Sequence, residues 1–534
     1  MPLPRVLLLP LAFLLAACAS PAPRRAEMPP LEPTGAADRV HIPSEWQPSG
    51  LPGLALGAEL PESGPELSLE EAVVLALRRQ PGLLAQQLNP VIAGAFEAIE
   101  RGEFDAEWFA SATASRDRAQ ETARATGEQF EVSGRDREVR AGVRQDWVTG
   151  TGVEASVGHA QRSSDRTPEQ QTARLGLSLT QSLLRGRRPE VNLVRIRQAE
   201  LATMASAYEL RGFTEALIAR TETAYWELVL AQERIRIVER SLTVARGQVA
   251  DLRQGVEVGS VAPTDAIVAE AEAARRAQDL IDAQSNLQTQ RLRLEYQVAA
   301  PPAPVGAPPL VAVSPARVEV PEQPEEGIEA RLGLADRMRA DLNEARLRIQ
   351  RDELEVVATR DGLLPRLDLF VNLAKTGFAS SLGDAFSNLD GNTYEVRAGL
   401  SLSQAVGRQA AQAREVVARA TRDQSEAALD NARRLAARDV RLAWTEVERA
   451  RAQTEAAAET RALQEEVVRA ELQRFEVGTS TALMVAQAQR DLLAAEIAEA
   501  EAVIQHRLAL IGLHVAEGTL LERRGIAVGV IRDP

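Results

Sequence analysis

A long segment without proline limits what this chain can fold into more than any other feature of the sequence. No proline occurs between Pro189 and Pro263, and the residues in between are mostly Ala, Arg, Glu, Gln and Leu, which favour helix. At 1.5 Å per residue, a helix over this segment is about 100 Å long. Such a helix cannot fold back into a compact core, so it needs partners along its length, from the same chain or from other copies.

The stretch VEVGSVAPTDA, Val256 to Ala266, interrupts this helical pattern for one turn. Gly259 suits the open backbone angles of a helix end, Pro263 suits a first helical turn, and Ser260 or Thr264 can cap the next helix. The pattern predicts the tip of an antiparallel helical hairpin, with a return helix from Pro263 to about Val298.

A second stretch, FEVGTSTALMVAQAQ, repeats the same Glu-Val-Gly turn near the other end of the chain. The two turns lie 219 residues apart, from Gly259 to Gly478, and this offset holds without a gap for more than thirty residues. It also aligns Ala224-Tyr225-x-Glu227 with Ala443-Trp444-x-Glu446. We therefore expect two internal repeats, each with a hairpin tip.

Between the first helices and the long helix, the apolar residues recur with a period of two, which is typical of strands. Four such runs are expected, near 104–113, 138–148, 152–162 and 173–183, joined by about twenty polar residues from Arg116 to Arg137, then three, then about ten. Short turns alternating with long loops are typical of an outer-membrane barrel, although a soluble antiparallel sheet is an alternative. The second half holds two runs, near 366–377 and 393–404.

The N-terminus has the composition of a secretory signal, with Arg5 followed by an apolar run from Val6 to Ala17. Leu15-Ala16-Ala17-Cys18 looks like a bacterial lipobox, which predicts acylation of Cys18, and Ala19 after it favours outer-membrane sorting. An ordinary signal peptide with an incidental cysteine is the alternative. No later stretch has about 18 uninterrupted apolar residues, so any membrane-spanning part must consist of strands.

The remaining composition argues against several other functions. A net charge of -14 and a pI of about 5.2 disfavour nucleic acid as a partner. The arginines alternate with Glu and Asp, which predicts solvated helix faces. The four histidines have no metal-ligand spacing, and His506 and His514 are expected to be surface or packing residues. We find no nucleophile or base constellation, so we expect neither an enzyme nor a cofactor.

Together these features resemble the TolC-type outer-membrane channel family, from Leu67 to Leu521. The resemblance rests on the opening LSLEEAVVLAL, the two tips, the strand entrance LLPRLDLF and the closing LALIGLHVAEGTLL. It implies an α+β membrane protein, in which long antiparallel helical hairpins form a periplasmic tunnel. Strands from three chains would close one transmembrane β-barrel.

The resemblance also implies partners and a location. The chain would be a homotrimer in the outer membrane of a Gram-negative bacterium, in contact with its lipid, with the helices in the periplasm. A periplasmic adaptor (membrane fusion) protein would link it to an inner-membrane RND or ABC transporter. The channel would be a passive conduit for an efflux pump or a type I secretion system.

By position, the resemblance assigns functional residues to the tips. Adaptor docking falls on Val258, Gly259, Ser260, Val261, Thr264, Val477, Gly478, Thr479 and Ser480, and a possible aperture on Asp265, Phe475, Met484 and Gln487. Asp265 matches one acidic gate position of the family, but the other acidic positions fall on Met484 and Gln487, and the gate arginine falls on Ser480. Asp265 could alternatively serve only the helix dipole.

The expected organisation follows from these elements. Its parts are a lipoprotein signal peptide (1–17), a tether (18–66), a first repeat (67–300), a Pro-rich linker (301–326), a second repeat (327–521) and a C-terminal tail (522–534). The family pattern has two strands in each half, so four in the first half mean a wider barrel or a hairpin placed elsewhere. A periplasmic adaptor and a structural coiled-coil lipoprotein are the alternative functions.

Overall fold

The computed structural model describes residues 66–122, 126–165, 167–299, 310–313 and 327–526. Cys18, the expected signal peptide and most of the tether and linker lie outside these residues. The helices are α1 Leu69–Arg79, α2 Pro81–Arg101, α3 Pro189–Asn192, α4 Val194–Glu257, α5 Pro263–Gln297, α6 Ile328–Met338, α7 Ala340–Asp361, α8 Leu382–Ser387, α9 Gln409–Glu476, α10 Ala482–Glu517 and α11 Leu520–Arg523. The strands are β1 Glu66–Leu67, β2 Glu107–Thr122, β3 Gln129–Trp147, β4 Thr151–Ser164, β5 Thr167–Ser182, β6 Val311–Ala312, β7 Arg366–Ala379 and β8 Tyr394–Ser403.

Two long helical hairpins form the helical part. Helix α4 has 64 residues and packs against α5, and α9 has 68 residues and packs against α10. Helix α10 also packs against α4, which joins the two hairpins. Alanine fills many of the buried positions, and its small side chain allows the helices to approach closely.

The main apolar cluster lies where the hairpins meet the first helix. Tyr225 and Trp226 of α4 pack there with Ile504 and Ile511 of α10 and with residues of α1. The Tyr225 hydroxyl donates a hydrogen bond to the Leu67 carbonyl oxygen at 3.1 Å. Helix α1 begins after Ser68, whose hydroxyl accepts from the Glu71 N–H in a capping box.

Six strands form one antiparallel sheet in the order β2-β3-β4-β5-β7-β8. The four strands of the first half are therefore continuous with the two of the second half. β2 and β8 are the edges, and each pairs on one side only among the described residues. The short strands β1 and β6 form a separate parallel pair.

The expected polar loop from Arg116 to Arg137 is wrong. β2 and β3 pair through most of it, with Asp117 opposite Gly134 and Thr122 opposite Gln129, which leaves only residues 123–128 as the connection. The connection between β4 and β5, expected to have about ten residues, is shorter still, because Ser164 pairs with Thr167. A run of polar residues is typical of a loop in sequence. It is also compatible with a strand that has both faces exposed to water.

One further local prediction is wrong. Neither Ser260 nor Thr264 caps α5, because Ala262 is the N-cap and no side chain bonds there. At the start of the second half, the non-helical backbone of Arg339 (ψ 127°) separates α6 from α7. None of the helices in the described ranges is long and apolar enough to cross a membrane.

Candidate functional site: the hairpin tips and the sheet faces

The first tip is closed by hydrogen bonds around Gly259, which has a φ of +74°. Its N–H donates to the Val256 carbonyl oxygen at 3.1 Å, and the N–H of Ser260 donates to the Gly255 carbonyl oxygen at 2.9 Å. The Ser260 hydroxyl donates to the same oxygen at 3.1 Å. Ser260 therefore satisfies the end of α4 instead of capping α5.

The second tip is closed in the same way around Gly478, with a φ of +77°. Its N–H donates to the Phe475 carbonyl oxygen at 3.0 Å, and the Thr479 N–H donates to the Arg474 carbonyl oxygen at 2.8 Å. The Thr479 hydroxyl donates to that oxygen at 3.0 Å. Here a side chain does cap the return helix, since Thr481 accepts from the Met484 N–H.

The tips present apolar side chains to solvent. Val258 and Val477, at the matching positions before the two glycines, are each 74% exposed. Thr264 and Thr479 are also exposed, whereas Val261 and Ser480 are partly buried. The Ser480 hydroxyl donates to Glu471, which lowers the pKa of that carboxyl.

A small apolar cluster holds the two tips side by side. Leu252 and Ala266 of the first hairpin are buried there with Ala482 of the second, and Val261 and Phe475 pack against them. Of the possible aperture residues, Phe475 is therefore a partly buried packing residue. Met484 and Gln487 are exposed and Asp265 is partly exposed.

One face of the six-stranded sheet is apolar along its middle and exposed within the chain. Trp108 is 78% exposed and stands opposite Val143, and the row continues through Ala155, Leu177 and Leu373 to the last strand. Val396, Leu400 and Leu402 carry this face onto β8. Exposed apolar surface that crosses a whole sheet marks an interaction with lipid or protein.

The opposite face of the sheet is polar and carries ion pairs between strands. Arg144 binds Glu107 at 2.7 Å, and Arg140 binds Glu154 at 2.5 Å. Arg174 binds Glu395 at 3.0 Å across β5, β7 and β8. The sheet thus separates an apolar side from a charged side, as the strands of a membrane channel do.

Sequence reasoning missed a buried polar network at the end of α10. Arg331 (1% exposed side chain) binds Glu517 (0%) at 2.5 Å, and its guanidinium lies 4.6 Å from the centre of the Trp444 ring. Arg524 binds Glu222 through two nitrogen–oxygen contacts of 2.6 Å. These arginines were expected on solvated faces, but Arg331 joins α6 to the second hairpin and Arg524 joins the end of α11 to the first.

Two titratable groups in this network are perturbed by burial. Burial raises the pKa of Glu215 to about 7, although its carboxylate accepts from the Leu520 N–H at 2.9 Å. Burial, with nearby Arg523 and Arg524, lowers the pKa of His514 to about 3. His506 is fully buried, and burial lowers its pKa as well. Both histidines are packing residues, one of the two roles predicted for them.

Within the described ranges, no cluster of three or more His, Cys, Asp or Glu side chains could hold a metal ion.

Comparison with known proteins finds a similar family over part of the sequence. The family model for outer membrane efflux proteins matches residues 332–519. No curated protein sequence matches the chain.

Solved structures match the fold over most of the chain. The outer membrane channel CmeC of Campylobacter jejuni is 16% identical with a TM-score of 0.62, covering 84% of this chain and 85% of its own. The open state of the MtrE outer membrane channel of Neisseria gonorrhoeae is 19% identical, with a TM-score of 0.61 and coverages of 85% and 90%. The outer membrane protein VceC of Vibrio cholerae is 18% identical, with a TM-score of 0.60 and coverages of 84% and 96%.

The chain therefore has the α+β fold of the outer-membrane channels. Its second half carries the sequence pattern of outer membrane efflux proteins, and the resemblance to the TolC-type family read from the sequence is confirmed.

Proposed function

We propose that this protein is the outer-membrane channel of a tripartite efflux pump or a type I secretion system. The observation that carries the proposal is the six-stranded sheet with one exposed apolar face and one charged face, attached to two long helical hairpins. A sheet of this kind suits a wall between lipid and water. Neither a periplasmic adaptor nor a coiled-coil lipoprotein would need it.

In this proposal three chains close one barrel, and their helices form the tunnel across the periplasm. Closure pairs the free edges of β2 and β8, which would otherwise promote aggregation. The chain has two internal repeats, 67–300 and 327–521, joined by the Pro-rich linker. Cys18 anchors it to the lipid of a Gram-negative outer membrane. The channel catalyses no reaction and transports passively, driven by its inner-membrane RND or ABC partner.

The tips dock the periplasmic adaptor and narrow the tunnel. Val258 and Val477 supply the exposed apolar contacts, and the backbone turns at Gly259 and Gly478 fix their position. Asp265, Met484 and Gln487 line the aperture, with Phe475 packed behind it. Only Asp265 brings a charge, so we propose that the aperture is held by packing and not by a ring of ionic links.

Single-channel recording in planar bilayers tests the proposal. We expect purified wild-type protein to give small conductance steps, and Asp265→Ala to change their cation selectivity. The matched control is Asp251→Ala, at an exposed position of α4. A protein that never conducts, even with large-to-small substitutions at Met484 and Phe475, would refute the channel.

A further inference from the structure

We propose that each chain contributes all six strands to one eighteen-stranded barrel, and that β8 of one copy pairs with β2 of the next in a defined register. The inference rests on the proposed function, because it takes three copies around one axis. It goes further by fixing the strand number, the residues in contact between copies and the width of the lumen.

The extra strands belong to the wall of the channel. β3 and β4 pair with each other and with their neighbours over most of their length. Their apolar residues, including Val139, Val143 and Val157, extend the apolar face of β5 and β7. Trp108 and Trp147, at the ends of β2 and β3 nearest the helices, are exposed on this face, where aromatic residues mark a membrane boundary. A hairpin placed elsewhere would need neither the continuous pairing nor this shared face.

Barrel closure restricts the register between copies. Around a closed barrel the strands are staggered by a fixed total number of residues. Three identical copies contribute equal parts of this total, and each part is called a share here. Each share is an even number of residues, because side chains alternate between the inside and the outside of the barrel. For eighteen strands with a rise of about 3.3 Å and a spacing of about 4.7 Å, shares of six or eight residues tilt the strands by about 35° or about 43°. Shares of four and ten fall outside the tilts of about 35–45° that such barrels adopt.

The pairing within the chain converts each share into specific contacts. A row of directly paired residues runs from Glu107 on β2 to Arg397 on β8. A share of six places Arg397 opposite Thr113 of the neighbouring copy, and β8 then lies opposite residues 107–116. A stagger in the other direction would place β8 opposite α2, which is not a strand.

Side-chain chemistry favours the share of six. On the apolar face it places Leu402 opposite Trp108, Leu400 opposite Ala110, Ala398 opposite Ala112, Val396 opposite Ala114 and Tyr394 opposite Arg116. A share of eight would place Val396 opposite Arg116 and the carboxylate of Glu395 opposite that of Asp117. Like charges directly opposite each other destabilise a sheet, so the first register is the stable one.

The barrel defined in this way is wide. Eighteen strands at a tilt of about 35° give a backbone diameter of about 33 Å, and barrels of this size leave an aqueous channel. Its lumen is lined by the polar face, where Arg140 and Arg144 form ion pairs with glutamates of adjacent strands and Arg174 of β5 reaches Glu395 of β8. The outer-membrane end of the channel would then not limit the size of the cargo, which leaves that role to the tips.

Cysteine cross-linking tests the register in the full-length protein. Ala112→Cys with Ala398→Cys joins directly opposed positions in the proposed register, whereas Ala114→Cys with Ala398→Cys joins them in the alternative register. Directly opposed residues lie within the Cα separation that a disulfide spans, and residues two positions away do not. Mild oxidation should convert most of the first variant to a covalent trimer on a non-reducing denaturing gel. Variants with only one of the two introduced cysteines also keep Cys18 and should stay monomeric on that gel.

The outcomes separate this inference from the function on which it rests. Cross-linking of the Ala114 pair instead of the Ala112 pair overturns the register. A native trimer in which neither pair cross-links overturns the six-strand barrel and leaves the channel intact. A protein that is monomeric in detergent before oxidation overturns the proposed function itself.

Discussion

Gly518 lies directly against the backbone of Arg339, at the point where α10 ends beside the break between α6 and α7. A Cβ on Gly518 would lie 2.8 Å from the Arg339 Cα, and the φ of Gly518 is +71°. Both the contact and the backbone angle therefore require glycine at this position. The closing motif of the sequence, LALIGLHVAEGTLL, thus fixes how the second hairpin docks on the shorter helices.

Gly518→Ala should destabilise the protein by about 2 kcal/mol or more, because it adds backbone strain to a steric clash. Thermal unfolding followed by circular dichroism in detergent should show a lower midpoint. Gly247→Ala is the matched control, because Gly247 lies within α4 and has no neighbouring atom near its Cβ position. This control should be neutral or slightly stabilising, and equal losses in both variants would contradict the argument.

Arg331→Met should destabilise the protein by about 3–5 kcal/mol, because it leaves the buried Glu517 with a weaker partner. Arg523, the other cation near Glu517, lies 3.4 Å away. Arg449→Ala breaks an exposed pair with Glu446 and should cost at most about 1 kcal/mol. Urea denaturation of both variants measures the difference. Indistinguishable transition midpoints would mean that the buried network does not join the helices.

Glu215 should make stability depend on pH. Its pKa is raised from 4.5 to about 7 by burial, so the folded state holds its proton more tightly than the unfolded state. The stabilisation is complete below about pH 4.5 and is lost as the pH rises through about 7. Glu215→Gln should therefore make the midpoint of thermal unfolding depend less on pH between pH 5 and pH 8. Glu257→Gln, at an exposed position, should leave this dependence unchanged.

His514 has the opposite dependence, because its pKa is lowered to about 3. Its contribution is present above its ordinary pKa of 6.5 and is lost as the pH falls towards 3. His514→Gln should therefore reduce the loss of stability in acid. The midpoint of thermal unfolding is compared between wild type and variant from pH 4 to pH 7. If the midpoint falls equally in both as the pH is lowered, another group causes the loss of stability in acid.

Val258→Asp with Val477→Asp should abolish transport in the cell without affecting the trimer. Two charges at the exposed apolar tips would disfavour docking of the adaptor. Susceptibility of the native host to toxic compounds, compared with a deletion strain, measures transport. Val244→Asp, at an exposed position within α4, is the control. Full transport by the double variant would contradict the proposed docking role.

The hairpin tips were predictable from the sequence because glycine and proline act locally. Gly259 and Gly478 both take a positive φ, and Pro263 begins a helix. The capping of α5 was not predictable, because Ser260 lies between the end of α4 and the start of α5 and could bond to either. Its hydroxyl donates to the Gly255 carbonyl oxygen of α4.

The strand ends and the buried charges were not predictable for a different reason. Asp117 lies in β2 because Gly134 of β3 pairs with it, and such pairing is invisible in a polar sequence. Arg331 and Glu517 look like ordinary surface residues of a charged helix, yet three packed helices enclose them. Both features depend on contacts between distant segments, which periodicity does not reveal.

A cryo-electron microscopy map of the protein extracted from outer membranes distinguishes a channel from a tethering lipoprotein. We expect a threefold tube of long helices with a barrel of eighteen strands at one end. A monomer, or an elongated rod without a barrel, would contradict the channel and make this protein a tethering lipoprotein.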